Sequence, residues 1–373
     1  PFRPSEILRG EAVLLPRRYI LFAVSAAFSR GGDLFLLVFP GASWQTWLSS
    51  DCGTGFSVYD GARAADFSFQ QKVCGALKRL FGKGSSETAR WTEEGEGLEM
   101  EKKRVLWLDI AKALGILVVL LVHTGKSLGP VTFFGGMFYM PVFFILAGKT
   151  FRWKPEETFG SFVKKKARRL LLPYFGYNLF LFLFFFIKND LLTGQAQAAS
   201  FFPLLGILYS RNCLFPMNTT PNIYFMQILN APTWFLTCMF VSYLVFWLLM
   251  RAARGSRKKA LYLNFGVLLA AVLLHYLCPV LLPWSLDCAL YSVSFLLIGK
   301  IMADRELVES LYRKPWALIL TAAAFAGLSW LNGSVNMSVA DYGRSMILYL
   351  AVGSLGSLLV MELSLFLEKY MKK

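Results

Sequence analysis

Residues 104–124 read RVLWLDIAKALGILVVLLVHT, and this stretch indicates the architecture of the whole chain. From Leu106 to His123 it is almost continuously apolar, which is long enough for a helix that spans a bilayer. Asp109, Lys112 and His123 nevertheless interrupt it, and they lie on one face because a helix turns about 100° per residue. Ionisable groups inside a bilayer are costly and usually face a bundle interior or a wet cavity. The stretch therefore predicts a membrane helix that forms the wall of a polar chamber.

The composition of the chain predicts a polytopic helical membrane protein. The 373 residues are 56% hydrophobic, have a mean hydropathy of +0.50 and include 34 Phe, more apolar surface than a soluble domain of this length needs. The net charge of +16 comes from short Lys and Arg clusters between apolar runs, a placement that orients membrane proteins and argues against a nucleic-acid partner. The six cysteines show no CxxC pair or Cys/His spacing, so we expect no metal site. Cys278 and Cys288 flank a short loop, and they either approach each other or are ordinary membrane-helix cysteines.

Residues 1–99 differ in character from the rest of the chain. Their first apolar run, residues 19–28, is too short to span a bilayer, and no helix or strand periodicity is evident. At Met100 the sequence changes to MEKKRVLWLDIAK, a basic segment followed by a span. We therefore assign no domain to residues 1–99, which we expect to be translated upstream DNA or, alternatively, a disordered or small accessory region. Residues 100–373 are assigned to one membrane domain.

Eight apolar segments follow and predict an all-α, polytopic transmembrane helix bundle. Their approximate bounds are 106–123, 131–148, 170–187, 233–250, 260–282, 285–302, 315–331 and 345–367. Basic residues are unevenly distributed between them, with eight in the 149–169 connection, two in 188–232 and five in 251–259. The positive-inside rule then places the start of the membrane domain and the C-terminal tail in the cytoplasm. Lys112 accordingly lies in the cytoplasmic half of the first span and His123 towards the outer side.

Five motifs occur in one order within residues 100–373. The first is a basic residue, ten further residues and a histidine, here Lys112 to His123. The others are GMFYMPVFFILAG (136–148), FVKKKARRLLLPY (162–174), TWFL (233–236) and SLDCALYSVSFLLIGK (285–300). Together they resemble the acyltransferase-3 family of integral membrane acyltransferases, and within it the fucose 4-O-acetylase-like branch.

Three features differ from the pattern of that family. Lys112 stands where the commonest first-helix motif has arginine, so the charge is kept but the forked, bidentate geometry is lost. Tyr139 stands where many relatives have histidine. Family members usually have further spans after the eighth, so we expect this chain to be a fragment or to lack the last helices.

The resemblance implies transfer of an acyl group, above all acetyl, from acetyl-CoA to a hydroxyl of a sugar or surface glycan at a bacterial inner membrane. Such transfer needs a base for the hydroxyl proton, and positive charge or hydrogen-bond donors for the oxyanion. We predict His123 as the base, because Asp109 and Lys112 share its helix face whereas His275 has no such companions. Lys112 is predicted to hold the phosphate or pantetheine end of the donor, with Asp109 orienting it. Alternatively, Lys112 and Asp109 only form an i,i+3 pair.

Further residues are candidates for binding. A basic cluster suits the phosphates of coenzyme A, although ordinary topogenic charges explain it equally well: Lys164, Lys165, Lys166, Arg168 and Arg169. Asp287, near the outer end of the sixth span, is a candidate for orienting the sugar or His123. Trp234 either stacks on a sugar ring or is a membrane-interface tryptophan.

Two other classes of function remain open on the sequence alone. In a transporter of a glycan or lipid-linked sugar, Asp109, Lys112 and His123 form a proton relay. Many transporters contain internal repeats, yet residues 100–240 and 240–373 show none, which counts against this class. A membrane sensor or scaffold needs no charged stripe. The lipid bilayer is an expected partner in every case.

Overall fold

A computed structural model describes residues 21–29, 33–40, 105–123, 128–194, 197–211, 213–216, 223, 225 and 231–371. Before Val105 it contains an antiparallel β-hairpin, in which Leu21–Ser29 (β1) pairs with Asp33–Pro40 (β2). No periodicity in the sequence predicted these strands. The other residues of 1–99 lie outside the described part of the chain, so the assignment of this region stays a prediction.

Residues 105–371 are helical wherever they are described, apart from connecting segments, and they confirm the all-α, polytopic transmembrane bundle. The helices are α1 (Leu106–Val122), α2 (Pro130–Phe138), α3 (Pro141–Lys149), α4 (Phe159–Phe186), α5 (Phe202–Tyr209), α6 (Trp234–Ala253), α7 (Arg257–Leu277), α8 (Leu286–Asp304), α9 (Leu307–Tyr312), α10 (Pro315–Asn332) and α11 (Met346–Met371).

The described residues include six stretches with the length and hydropathy of a membrane span. These are Pro130–Lys149, Phe159–Leu191, Trp234–Ala253, Arg257–Leu277, Pro283–Asp304 and Met346–Met371. Trp316–Asn332 is a shorter apolar helix, and α1 has 17 residues. All eight apolar segments of the sequence are thus helical, six of them at full spanning length, and the chain is a multi-pass membrane protein.

The second predicted span, 131–148, corresponds to the stretch Pro130–Lys149, in which the helical hydrogen bonding is interrupted at Tyr139 and Met140. Proline has no N–H to donate to the preceding turn, so the hydrogen bonding of α2 is interrupted and Pro141 begins α3, although Tyr139 and Met140 keep right-handed helical dihedrals. The N–H of Tyr139 still donates to the carbonyl of Gly135 at 3.0 Å.

The third predicted span, 170–187, belongs to a helix that begins well before residue 170. Helix α4 starts at Phe159 because Thr158 caps it, its side-chain oxygen accepting a hydrogen bond of 3.3 Å from the N–H of Ser161. The basic cluster 164–169 therefore lies on a helix and not in a loop. Its side chains project from successive positions of the first turns of α4.

Helices α3 and α8 pack with their backbones in direct contact. Gly148 of α3 faces the backbone of Leu296, and Gly299 of α8 faces the backbone of Ile145. A β-carbon at either glycine would overlap the carbonyl of the facing residue, so the helices approach this closely only with glycine at both positions. Helices α1, α6 and α11 pack around this pair. The packing holds α3, and the break that precedes it, at the centre of the bundle.

Candidate functional site

A cavity of about 540 Å³ lies at the end of α1 that carries His123. Four parts of the chain line it: the end of α1, α2 with the break that follows it, the start of α6, and the segment between α10 and α11. The lining residues with a polar side-chain atom are His123, Thr132, Tyr139, Trp234, Ser334, Asn336 and Ser338. Segments that are far apart in the sequence thus meet around the predicted base.

His123 lies at the wall of this cavity with an exposed side chain. Its Nδ1 is 2.7 Å from the carbonyl oxygen of Val119, in the last turn of α1. A carbonyl oxygen can only accept, so Nδ1 carries a proton and donates it in this hydrogen bond. The lone pair of the neutral imidazole is then on Nε2, which is available to accept a proton. The hydrogen bond therefore sets both the tautomer and the orientation of the ring.

Trp234, the first residue of α6, lines the same cavity and is 6% exposed. The hydroxyl oxygen of the preceding residue, Thr233, accepts a hydrogen bond of 3.0 Å from Nδ2 of Asn178 on α4. This contact ties the start of α6 to α4 and holds Trp234 at the cavity wall. The structure thus brings together the predicted base and one of the predicted acceptor-binding residues.

Lys112 and Asp109 do not line this cavity. Lys112 Nζ is 3.3 Å from Asp109 Oδ1, with side chains 19% and 14% exposed, so the expected i,i+3 pair is formed. Between this pair and His123, the same face of α1 carries Ile116 and Val119, which are buried in the hydrophobic core. Among the described residues, the charged stripe therefore meets two separate environments rather than the one polar chamber that the sequence predicted.

The basic cluster on α4 does not contribute to the lining of the cavity either. Lys166 Nζ lies 3.3 Å from the centre of the Tyr243 ring, which is a cation–π contact. Lys165 Nζ is 3.6 Å from Oε1 of Glu157. At least two of the five cations are thus engaged within the protein. The exposed members of the cluster are Lys164, Lys165, Arg168 and Arg169.

Asp287 lies outside the lining of the cavity and forms a buried ion pair with Arg211. Arg211 lies between α5 and α6 and is fully buried. Its importance is not evident from the distribution of basic residues, in which Arg211 is one of two in the long 188–232 connection. A usable signal was present, since Arg211 is the one charged residue between positions 191 and 250. A charge that is isolated in apolar sequence requires a partner when it is buried.

Cys278 and Cys288 are not joined by a disulfide. The thiol of Cys288 instead donates to the carbonyl of Met337 at 3.1 Å. Among the residues that the structure describes, no group of three or more His, Cys, Asp or Glu side chains is placed to hold a metal ion.

Comparison with known proteins adds one positive finding. A family model described as an acyltransferase domain matches residues 105–372, which include all of helices α1 to α11. Neither a curated protein nor a solved structure matches the chain significantly. The matched region contains the cavity, the basic cluster and the buried ion pair.

Proposed function

The chain belongs to the acyltransferase-3 family, and we propose that it transfers an acetyl group from acetyl-CoA to a hydroxyl of a sugar or surface glycan. As a membrane O-acyltransferase, it needs a site for the acceptor beside a base. The observation that carries the proposal is the cavity of about 540 Å³ in which His123 meets Trp234. This volume lies within the range of about 300–1,000 Å³ that is typical of small-molecule sites.

His123 is the proposed general base. Its Nε2 removes the proton of the acceptor hydroxyl, whose oxygen attacks the thioester carbonyl of the donor. The new C–O bond forms, the C–S bond breaks, and the proton passes from His123 to the departing thiolate. Between these two proton transfers the ring is an imidazolium. The hydrogen bond of 2.7 Å from Nδ1 to the Val119 carbonyl stabilises that cation.

Two further residues complete the proposed acceptor and oxyanion sites. Trp234 presents an aromatic surface on which a sugar ring stacks. Tyr139, at the break between α2 and α3, donates its hydroxyl proton in a hydrogen bond to the oxyanion of the tetrahedral intermediate. Asp287 lies outside the cavity and acts on the acceptor only through Arg211.

The donor is proposed to enter from the cytoplasm of a bacterial cell. The distribution of basic residues favours a cytoplasmic location for the end of α1 that carries Lys112. Lys112, oriented by Asp109, and the basic cluster 164–169 supply positive charge for the phosphates of coenzyme A. Lys112 and His123 are eleven residues apart, or about 16 Å along α1. An extended pantetheine arm bridges a distance of this order, so the thioester reaches His123 once the packed side chains between the two residues give way.

The test compares the two histidines of the chain. Wild-type, His123→Gln and His275→Gln proteins are brought to equal levels in membranes, and transfer of labelled acetate from acetyl-CoA to envelope glycans is measured. Loss of the base predicts a decrease of about 10²- to 10⁴-fold for His123→Gln. His275→Gln should remain close to wild type, since the His275 ring contacts Tyr276 and Tyr342 and does not line the cavity.

Equal incorporation by His123→Gln and wild type would refute the assignment of the base. Absence of incorporation by the wild type, together with counterflow of an unacylated labelled sugar, would favour a transporter instead. The membrane level of each variant is the control for folding.

A further inference from the structure

Arg211 connects its own segment to two distant parts of the chain through one guanidinium group. Its Nε donates to the carbonyl of Leu282 at 3.2 Å, its Nη1 to the carbonyl of Ser338 at 2.7 Å, and its Nη2 to the carboxylate of Asp287. These partners lie in the turn before α8, in the segment between α10 and α11, and in the first turn of α8. The planar fork of arginine suits this arrangement, whereas the compact ammonium group of lysine does not.

The positive charge of Arg211 is neutralised inside the protein. The Arg211 side chain is 0% exposed and that of Asp287 is 11% exposed. A buried cation is tolerated when it has both a paired charge and hydrogen-bond acceptors for its remaining protons. Arg211 has both of these within the chain, so its charge and its donors are satisfied without a ligand.

Ser338 belongs to a hydrogen-bonded turn, residues 334–341, which we call the cavity turn. The Ser338 hydroxyl donates to Oδ1 of Asn336 at 2.6 Å. The backbones of Asn336 and Asp341 exchange two hydrogen bonds of 2.8 and 3.0 Å. These bonds make the turn one unit, so the guanidinium contact with the Ser338 carbonyl fixes the whole turn. Three of its polar residues line the cavity at the end of α1: Ser334, Asn336 and Ser338.

The described residues that line the cavity carry no permanent charge. Its described lining contains no Asp, Glu, Lys or Arg, and its polar groups are hydroxyls, an amide, an indole and one imidazole. Hydroxyl and amide groups match the hydroxyls of an uncharged ligand, whereas an anionic ligand is bound most strongly by a cation within hydrogen-bond reach.

We propose that Arg211 is a positioning residue that clamps the cavity turn, and that the site so formed accepts an uncharged sugar in preference to an anionic one. This rests on the proposed function, because it specifies the acceptor of the same cavity. The clamp sets the distance between the cavity turn and His123, so that the polar groups of the turn meet acceptor hydroxyls next to the reacting one. Weakening the clamp therefore loosens acceptor binding and leaves donor binding unchanged.

The first experiment compares Arg211→Lys with Arg344→Lys, which changes an exposed arginine between the cavity turn and α11. Lysine keeps the charge but cannot contact all three partners of the guanidinium at once. We expect Arg211→Lys to raise the KM for a neutral methyl glycoside about tenfold and to change the KM for acetyl-CoA less than about twofold. Arg344→Lys should match the wild type. An unchanged acceptor KM, or a parallel rise in the donor KM, would overturn the clamp.

A second variant and a second pair of acceptors extend this test. Asp287→Asn keeps an acceptor oxygen for the guanidinium but removes the charge. It should show the same selective rise in acceptor KM, and it replaces Arg211→Lys in the test if that variant does not accumulate.

A methyl hexoside and the matching methyl hexuronoside differ in one carboxylate. We expect the wild-type kcat/KM to be about a hundredfold lower for the uronoside. Equal or preferred use of the uronoside would contradict the uncharged acceptor.

A labelling experiment separates failure of the clamp from failure of the proposed function. Val339 belongs to the cavity turn and is 5% exposed, so Val339→Cys reports on release of the turn. The rate at which a membrane-impermeant maleimide modifies the introduced cysteine is measured, with the parent protein that keeps Val339 as the background. This rate should be higher when Arg211→Lys is also present. An unchanged rate refutes the clamp whatever the enzymatic activity. A faster rate in a protein that acylates no sugar would support the proposed clamp and refute the proposed acceptor.

Discussion

The two ends of α8 each carry an aspartate in an ion pair, and we predict that removing them has very different costs. Asp287 pairs with Arg211, and these side chains are 11% and 0% exposed. Asp304 pairs with Lys300 over 2.5 Å, and these side chains are 47% and 24% exposed. Burial decides the magnitude, because the more exposed pair is solvated and screened while the buried pair is not.

Replacing Asp287 by alanine leaves the guanidinium of Arg211 buried with its carbonyl acceptors but without its counter-charge. Removing one partner of a buried pair costs about 3–5 kcal/mol of folding free energy. Asp304→Ala removes a pair of a kind that contributes about 0–1 kcal/mol. We therefore expect Asp287→Ala to lower the free energy of unfolding by about 3 kcal/mol more than Asp304→Ala.

The assay is unfolding of the purified protein in mild detergent micelles by titration with a denaturing detergent, followed by tryptophan fluorescence. Asp287→Asn, which keeps a hydrogen-bond acceptor but no charge, should fall between the wild type and Asp287→Ala. Equal free energies of unfolding for Asp287→Ala and Asp304→Ala would refute the reasoning, because Arg211 would then not depend on Asp287 for its burial.

Two further predictions concern helix packing and the donor. Gly299→Ala should destabilise the protein by about 1–3 kcal/mol in the same detergent titration, because the new β-carbon overlaps the Ile145 carbonyl. The control is Gly266→Ala, which should be neutral or stabilising because nothing lies within 4 Å of the new atom. Equal destabilisation by both substitutions would rule out the close approach of α3 and α8. In steady-state assays, Lys112→Gln should raise the KM for acetyl-CoA about tenfold without changing the acceptor KM. The control Lys300→Gln, which alters an exposed ion pair, should change neither KM value. A selective rise in the acceptor KM of Lys112→Gln would contradict its assignment to the donor.

Most of the fold could be predicted from the sequence, since apolar runs and basic clusters are local patterns. The spans predicted at 233–250, 260–282, 285–302 and 345–367 correspond to α6, α7, α8 and α11 with ends that differ by a few residues. The span predicted at 131–148 agrees with the stretch Pro130–Lys149, although Pro141 interrupts its hydrogen bonding. One boundary was wrong for a reason that hydropathy does not record, since the cap at Thr158 starts α4 within a segment that is too basic to register as apolar.

The sequence by itself determined the spans and the helix face shared by Asp109, Lys112 and His123, because helical periodicity depends only on spacing along the chain. Tertiary structure alone decided that the cavity joins His123 to Trp234 and the cavity turn, and leaves Lys112 out.

Tertiary structure also decided the role of Arg211, whose carbonyl acceptors are 71 and 127 positions away in the chain. No local period records contacts at such separations. They arise only when the helices and their connecting segments pack, and that packing turns an isolated charge in an apolar sequence into a neutralised link between three segments.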